Sequence, residues 1–300
     1  MTHLFEYTHL NNNPMVSVCC MTYNQESFIT QSIEGFLMQK TNFPIEIIIH
    51  DDASTDKTAQ IIKQYAEKFP NLIIPILQTE NQFSKREVGV LTHLVIPYSI
   101  GKYIALCEGD DYWVDPYKLQ KQVDFLEANP DYTFSMGRVD VLTQKTGEVN
   151  KMKEFVNPIK KETYSLRDYL KSKFSQTSSF VFRNSPEPFP EWFSLVHGGD
   201  QSLVLVKTGK GKIKYHRDLF SIYRINEGSI SFTATYNIYE NSLETLKYWQ
   251  LYLNNDYKLI FKIRSYNIRQ YVKLGKCKYL INKIMCRMKI KCSAIVLKFL

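Results

Sequence analysis

The chain has 300 residues, of which 44% are hydrophobic and 14% aromatic. This composition predicts one large α/β domain, alone or with an appendage, and excludes a fibrous or low-complexity protein. The net charge of +8 is uneven, because twelve Lys or Arg and no acidic residue fall between Tyr257 and Leu300. A basic tail on a mildly acidic body indicates a surface partner for the tail and argues against a nucleic-acid-binding body.

The cysteines and the N-terminal residues indicate in which cellular compartment the protein is expected. None of the six cysteines lies in a CxxC pattern, so we predict no disulfide framework, and a reducing cytoplasm fits the sequence. Residues 1–13 are interpreted as a polar leader without the apolar core of a signal peptide. The absence of an uninterrupted run of about 18 apolar residues predicts that no helix spans a membrane.

Buried strands and amphipathic helices alternate along the first half of the chain. Apolar runs predict four strands, at 16–21, 45–50, 72–77 and 103–107. Helical spacing follows the first two strands, and a helix of undefined limits is expected before Gly101. This alternation predicts an α/β fold with a mostly parallel central sheet covered by helices on both faces. Beyond Pro116 we expect a helix ending near Asn129 and strands at 132–136, 178–182 and 219–223.

Three polar segments each follow one of the predicted strands. They are Thr22-Tyr23-Asn24, Asp51-Asp52 and Glu108-Gly109-Asp110-Asp111. Ligands of parallel α/β sheets bind beyond the carboxyl ends of the strands. We therefore expect the three segments to meet at one rim and to form a ligand site.

Carboxylates on a tight turn after a buried strand fit Mg²⁺ or Mn²⁺, which bind to protein through few carboxylates and complete their coordination with substrate phosphates. Glu108–Asp111 has this arrangement, with Gly109 allowing a close backbone approach. The alternative is an acidic surface turn. Asp51 and Asp52 are expected to accept hydrogen bonds from a nucleobase and a ribose, whereas Ser54, Thr55 or Asp56 would cap the following helix.

The same three segments resemble family 2 glycosyltransferases with the GT-A fold, over about residues 14–232. That family has a Thr-Tyr-Asn turn, an Asp-Asp-x-Ser-x-Asp loop and a metal-binding Asp-x-Asp motif, here Glu108-Gly109-Asp110. The resemblance implies a nucleotide-sugar site formed by Thr22, Tyr23, Glu26, Asp51, Asp52, Glu108, Asp110, Asp111 and Arg224. It implies Asp110 as the ligand of a divalent cation, Mn²⁺ or Mg²⁺, with Asp111 as the alternative ligand.

An inverting transferase also needs a general base that takes the proton of the acceptor hydroxyl. The family places a carboxylate at the start of a helix, and His197-Gly198-Gly199-Asp200-Gln201 is similar to that site. The resemblance therefore implies Asp200 as the catalytic base. The alternative role is a helix N-cap, and a single side chain can serve as both.

The basic tail has one apolar face. From Ile281 to Phe299 the apolar residues recur at helical spacing, and the basic residues lie off that face. This pattern predicts a basic amphipathic helix that lies on an anionic membrane surface. The alternative is a tail that packs on the domain or on a second subunit.

These observations predict a leader over 1–13, a GT-A glycosyltransferase domain over 14–235 and a helical basic region over 236–300. We expect a metal-dependent, inverting hexosyltransferase that moves one sugar, from a UDP-sugar, to a saccharide or lipid-linked saccharide in surface polysaccharide synthesis. The expected location is the cytoplasm, on the inner face of the cell membrane. The alternatives are a nucleotidyltransferase and a catalytically inactive module that binds nucleotide-sugar or glycan.

Overall fold

The structure is a computed structural model that describes residues 13–85, 89–151, 161–171, 175–196, 199–226, 236–254 and 256–276. The strands are β1 Val16–Thr22, β2 Ile45–Asp51, β3 Ile73–Leu77, β4 Tyr103–Leu106, β5 Tyr112–Trp113, β6 Tyr132–Thr143, β7 Glu148–Lys151, β8 Thr163–Ser165, β9 Val181–Arg183 and β10 Lys212–Ile225. The helices are α1 Ile29–Leu37, α2 Thr58–Lys68, α3 Gln82–Lys85, α4 Lys118–Ala128, α5 Leu166–Lys171, α6 Gly199–Thr208, α7 Tyr236–Tyr252 and α8 Lys258–Lys276.

One sheet runs through the domain in the order β3-β2-β1-β4-β9-β6-β10-β5, with β7 beside β6 and β8 beside β10. The first four strands are parallel, as their apolar runs predict. The later strands make the sheet mixed, because β9 is antiparallel to both β4 and β6, whereas β6 and β10 are parallel. The predicted α/β class is confirmed, with a parallel first half and a mixed second half.

Both faces of the parallel half are buried, which explains why its strands are apolar at nearly every position. Val18 and Ile47 contribute to a core on the face that carries α1, α2 and α4. Cys19 and Ile48, one position along each strand, contribute to a second core on the opposite face. The parallel strands are therefore anchored from both sides, which fixes where their carboxyl ends lie.

Two later strands are longer than the sequence predicts, because polar residues interrupt their apolar pattern. β6 continues from Met136 through Arg138 and Asp140, and these two side chains form an ion pair with an N–O distance of 2.6 Å. β10 contains a register irregularity between His216 and Leu219. The helix expected before Gly101 is instead a π-helical turn, 90–95, followed by a 3₁₀ turn, 96–98.

The helices of the C-terminal region pack on the sheet domain. Leu246 and Trp249 of α7 and Ile260 and Phe261 of α8 are buried in one cluster with residues of α5 and α6, namely Leu166, Leu170 and Leu205. The amphipathic helix predicted from Ile281 lies outside the described residues. Among the described helices, none is long and apolar enough to cross a membrane.

A lysine at the start of α4 is buried in the aromatic core. The Lys118 side chain is fully buried, and its Nζ lies 4.1 Å from the centroid of the Trp113 ring and 5.9 Å from that of Phe220. Burial lowers the pKa of Lys118 to about 7. Cation–π contacts offset part of the cost of removing the ammonium from water, yet the neutral amine is the favoured form above neutral pH.

This buried amine predicts a pH dependence of stability. Above pH 7 the folded amine is neutral, while the unfolded one stays protonated up to about pH 10.4. The unfolded state then binds one proton more, so the free energy of unfolding rises with pH, by up to about 1.4 kcal/mol per unit. Lys118→Met should remove this increase and be more stable at pH 7, as measured by urea unfolding between pH 7 and 10. Exposed Lys63→Met is the control, and equal slopes for wild type and Lys118→Met would contradict the prediction.

Candidate active site

The three predicted polar segments meet at the carboxyl ends of β1, β2 and β4. The backbone N–H of Asp52 donates to the carbonyl of Thr22 at 3.0 Å, and that of Gly109 donates to the carbonyl of Met21 at 2.9 Å. The segment after β1 thus lies between the other two and is bonded to both. Since β1 is the central strand of the three, the rim follows directly from strand order.

The acidic turn 108–111 lies closely against the β1 segment. A Cβ placed on Gly109 would be 2.5 Å from Oε1 of Gln25 and 2.8 Å from Oγ1 of Thr22, closer than real Cβ atoms approach. Thr22 Oγ1 donates to the same Gln25 Oε1 at 2.7 Å, and the Gln25 side chain also hydrogen-bonds to Asp110. Gly109 is therefore needed for this close approach.

Asp111 is buried and anchors the turn to the rest of the domain. Its side chain is 1% exposed, and Oδ1 accepts the backbone N–H of Arg224 at 2.9 Å. Ser178 hydrogen-bonds to the same carboxylate, and Ser32 Oγ donates to the carbonyl oxygens of Gly109 and Asp111. Burial, with the nearby charges of Asp110 and Glu108, raises the pKa of Asp111 well above its usual range. Its carboxylate faces protein donors.

Asp110 differs from Asp111 in being partly exposed. Its Oδ2 accepts a hydrogen bond from Asn226 Nδ2 at 3.2 Å. This one bond occupies a single lone pair of the carboxylate, so Asn226 leaves the other lone pairs of both oxygens unoccupied. Among the described residues, no group of three His, Cys, Asp or Glu side chains could hold a metal ion. A single carboxylate still fits Mg²⁺ or Mn²⁺, because these ions take most of their ligands from substrate and water.

Glu108 connects the acidic turn to the short helical turn 177–179. Its carboxylate hydrogen-bonds to the Thr177 side chain of that turn. Burial, followed by the negative charge of Asp110, raises the pKa of Glu108 to about 7, and the charge of Asp200 adds to the rise. Asp200 is half-buried in the first turn of α6. Glu108 thus lies close enough to Asp110 and to Asp200 to feel the charge of each, although about 90 residues separate the turn from α6 in sequence.

Asp51 and Asp52 bind the loops around them. Asp51 is 1% exposed and accepts from Ser54, at 2.5 Å from the hydroxyl and 3.0 Å from the backbone N–H. Burial raises the pKa of Asp51. Asp52 is 4% exposed and accepts the backbone N–H groups of Gln82 at 2.8 Å and Phe83 at 3.0 Å. Asp52 therefore fixes α3 at the rim of the site.

Of the three candidates for capping α2, Asp56 accepts a hydrogen bond from the first residue of the helix, although the N-cap position itself is Lys57. α2 begins at Thr58, whose N–H donates to Asp56 Oδ1 at 2.9 Å. Ser54 and Thr55 instead bind Asn24: the N–H of Asn24 donates to Ser54 Oγ, and the N–H of Thr55 donates to Asn24 Oδ1, both at 2.8 Å. Asn24 has a φ of 50°, so the turn after β1 positions its amide for this contact.

Tyr23 and Glu26 lie on the outer edge of the same turn. The Tyr23 side chain is 45% exposed. Glu26 is exposed as well, and its Oε2 accepts the backbone N–H of Lys57 at 2.8 Å, just before α2. Thr22, by contrast, is buried against the acidic turn. The predicted residues around β1 thus divide into a buried one and two that face solvent.

Arg224 is 5% exposed and binds protein groups. Its Nε donates to the carbonyl of Asp110 at 2.8 Å, and its terminal nitrogens donate to the side-chain amides of Gln144 at 2.8 Å and Gln31 at 2.6 Å. The guanidinium also lies 4.5 Å from the centroid of the Phe28 ring. Through these contacts Arg224 links β10 to the acidic turn.

Sequence reasoning missed four residues that hold the acidic turn. Gln25 directly follows the Thr-Tyr-Asn turn, so its place in the motif was available as a signal. Ser32 lies on the buried face of α1, where a serine is easily taken for a neutral helix residue. Thr177 and Ser178 lie in a serine-rich stretch that carries no motif, and only the sheet order brings it beside the turn.

Comparison with known sequences assigns the class of protein. The profile of the family described as "Glycosyl transferase family 2" matches residues 17–187. The chain therefore belongs to glycosyl transferase family 2. An uncharacterized protein of Mycobacterium tuberculosis is 40% identical over 173 residues, which are 57% of this chain and 47% of that protein. An Escherichia coli protein named UDP-Glc:alpha-D-GlcNAc-diphosphoundecaprenol beta-1,3-glucosyltransferase WfaP is 34% identical over 38% of this chain and 42% of its own.

The chain thus spans about half the length of the curated relatives it matches. Solved structures agree on the fold. S. aureus TarS 1–349 in complex with UDP-GlcNAc superposes with a TM-score of 0.57 at 16% identity, over 94% of this chain and 90% of that one. The mannosyltransferase PcManGT from Pyrobaculum calidifontis, in complex with GDP-Man and Mn²⁺, gives 0.57 at 14% identity, over 97% and 87%. The expected GT-A fold is confirmed.

The close contact at Gly109 gives a test of the site's geometry. Gly109→Ala should move the acidic turn away from Thr22 and Gln25, because the new methyl would overlap both side chains. Since the family resemblance implies a nucleotide-sugar site at this turn, we expect at least tenfold weaker binding of UDP in the presence of Mn²⁺, measured by titration calorimetry. Gly199→Ala, where a Cβ meets nothing within 4 Å, is the matched control. Wild-type UDP affinity in Gly109→Ala would show that the turn does not shape the nucleotide site.

Proposed function

We propose that the chain is an inverting glycosyltransferase that moves one sugar from a UDP-sugar to a saccharide acceptor. The observation that carries this proposal is the position of Asp200, whose charge acts on Glu108 in the acidic turn at the rim where the parallel strands end. Such a rim offers one side to a nucleoside diphosphate and the other to an acceptor hydroxyl. Neither a nucleotidyltransferase nor a binding module requires a half-buried carboxylate at this second position.

The proposed donor is a UDP-sugar, and the buried side of the rim would hold its nucleoside. Thr22, Asp51 and Asp52 form this side, with Tyr23 and Glu26 at its outer edge. The carboxylates of Asp51 and Asp52 are buried and accept from Ser54, Gln82 and Phe83, so we propose that they hold the loops that line the nucleoside, as Asp111 holds the acidic turn. The names of two similar proteins support the choice of nucleotide, since one was solved with UDP-GlcNAc and the other is described as using UDP-Glc.

A divalent cation, Mn²⁺ or Mg²⁺, is proposed to bind at Asp110. When bound there it would offset the charge that develops on the departing diphosphate. Asp111 is a poor candidate for the same role, because its carboxylate is buried and accepts the Arg224 N–H. We propose instead that Asp111 and Arg224 position the turn, while Glu108 accepts a hydroxyl of the ribose or sugar. The Mn²⁺ complex of PcManGT supports a cation in this fold.

The proposed chemistry is a single displacement. The acceptor oxygen attacks the anomeric carbon from the face opposite the diphosphate, and the bond from that carbon to the diphosphate oxygen breaks. Asp200 takes the proton of the acceptor hydroxyl as the new bond forms, which raises the nucleophilicity of the oxygen. The half-buried position of Asp200 gives it access to an acceptor while limiting competition from water.

The proposed acceptor is a saccharide carried on a lipid, in the synthesis of a surface polysaccharide. The name of the E. coli relative, with its diphosphoundecaprenol-linked substrate, supports this class. A lipid-linked acceptor would place the protein in the cytoplasm, on the inner face of the cell membrane. α8 would contribute to membrane binding, since it has no acidic residue and exposes Lys258, Lys262 and Arg269 beside Leu259 and Tyr266.

Two substitutions test the assigned roles. Asp110→Asn should abolish the part of the stabilisation by UDP that depends on Mn²⁺. In wild type the whole stabilisation by UDP is about 2.7 kcal/mol at a hundredfold excess over Kd. Asp200→Asn should keep that stabilisation but lose at least a thousandfold in kcat, since the amide cannot take a proton. Thermal unfolding with UDP and Mn²⁺ measures the first effect. UDP release from UDP-glucose and UDP-GlcNAc measures the second.

The same experiment separates the alternatives. Matched Asp→Asn substitution at exposed Asp124 removes an equal charge from α4 and should change neither quantity. Full turnover in Asp200→Asn would refute the base assignment. Binding of UDP-sugars without any turnover in wild type would favour an inactive binding module. Release of pyrophosphate from a nucleoside triphosphate would favour a nucleotidyltransferase.

The membrane proposal is tested on the full chain. The variant Lys258→Gln, Lys262→Gln, Arg269→Gln should bind vesicles with 30% phosphatidylglycerol roughly 100-fold more weakly, at about 1 kcal/mol for each cation. Exposed lysines of the α2 region give the control variant, Lys57→Gln, Lys63→Gln, Lys68→Gln. A C-terminally truncated variant should end at Lys276. A variant that ends before Tyr257 would lose the buried Ile260 and Phe261. Equal sedimentation of all variants with vesicles would contradict the proposal.

A further inference from the structure

The first turn of α6 is bound from outside by the two C-terminal helices. Trp249 of α7 donates its Nε1–H to Ser202 Oγ at 3.0 Å. Arg264 of α8 donates from Nη2 to Gln201 Oε1 at 2.8 Å. These two acceptors are the residues that directly follow Asp200. Both helices therefore attach to the segment of α6 that carries the proposed base.

From these contacts we propose that Arg264 and Trp249 are positioning residues, which fix Asp200 for proton abstraction. The inference rests on the proposed role of Asp200 as the general base. It assigns to α7 and α8 a part in catalysis in addition to any contact with a membrane. Neither helix supplies a group that touches the substrate in this proposal.

The surroundings of Arg264 favour positioning over stabilisation. Its hydrogen-bond acceptors are uncharged, namely the side-chain amide of Gln201 and, at 3.2 Å, the carbonyl of Leu170 near the C-terminal end of α5. Its guanidinium lies 5.4 Å from the centroid of the Trp249 ring. Arg264 is half-buried, and neither of these two acceptors carries a charge, so the contacts add no ion pair to the stability of the fold. The planar guanidinium of Arg264 instead holds two hydrogen bonds in fixed directions, one to α5 and one to α6.

Tyr169 lies close enough to both Asp200 and Arg264 to feel the charge of each. Its side chain, on α5, is 2% exposed. Burial raises the pKa of Tyr169 well above its usual range, with the negative charge of Asp200 adding to the rise and the positive charge of Arg264 opposing it. The phenol thus lies within reach of both charges. A shift of α8 would be transmitted to the start of α6 through this packed group as well.

The start of α6 needs such support because its own sequence provides little. The N–H groups of a helix's first turn have no partners within the helix. Gly199 opens the helix, and a Cβ on it would meet nothing within 4 Å, so the backbone is not packed on that side. A base displaced by about 1 Å loses roughly 100-fold in rate. The contacts at Gln201 and Ser202 are therefore placed where a small movement matters.

The test uses the full chain and UDP release from UDP-glucose and UDP-GlcNAc. Arg264→Met should lower kcat by roughly 10- to 100-fold while KM for the donor stays within twofold, because the nucleotide side of the rim is untouched. Trp249→Phe, which keeps a ring but removes the donor to Ser202, should act in the same direction. Arg264→Lys keeps the charge and loses the fork, so it should fall between wild type and Arg264→Met. Exposed Arg167→Met on α5 is the matched control, with wild-type kcat expected.

A double-mutant comparison separates this proposal from the one on which it rests. In an Asp200→Asn background, Arg264→Met should cause no further loss, because both changes remove the same function. Independent, multiplying losses would overturn the positioning role. Wild-type kcat in both Arg264→Met and Trp249→Phe, with Asp200→Asn inactive, would overturn it while leaving the base assignment intact. Full turnover in Asp200→Asn would overturn the base assignment and this inference together. If Arg264→Met does not fold, Trp249→Phe decides.

Discussion

The buried carboxylate of Asp111 is the contact on which the candidate site depends. It accepts the backbone N–H of Arg224, and so joins the turn after β4 to the end of β10. Arg224 in turn donates to the carbonyl of Asp110. A buried carboxylate is costly unless protein donors satisfy it, so this pair has little freedom to move. The neighbouring Asp110 is thereby held at the surface of the site.

In this arrangement the acidic residues of one turn have different structural roles. Asp111 bears the structural contact, Asp110 remains accessible, and Glu108 is directed towards Thr177 and Asp200. The difference arises from burial, because the turn presents its side chains alternately to the core and to the rim. At β2, by contrast, both carboxylates bind protein, since Asp52 fixes α3 and Asp51 binds Ser54. Several acidic residues at this rim therefore hold loops in place.

The part of the rim that carries Asp200 is organised by elements remote in sequence. α6 carries Asp200 and is held at Ser202 and Gln201 by Trp249 and Arg264. The C-terminal helices share a core with α5 and α6, so they belong to the folded body of the protein. The exposed basic face of α8 is a separate surface. This helix thus presents an apolar side to the domain and a cationic side to solvent.

The sequence by itself determined the parallel half of the sheet, since its strands are apolar throughout and alternate with helices, and it located the three polar segments at strand ends. It favoured Asp110 over Asp111 as the metal ligand only through the family resemblance, because both are acidic residues of one turn. Only the tertiary structure decided which is buried, since that depends on Arg224 arriving from β10. It alone showed Thr177 and Ser178 beside the turn, and Arg264 beside α6. Hydrogen bonds between distant segments leave no periodicity in sequence, so contacts of this kind become visible only when the chain is folded.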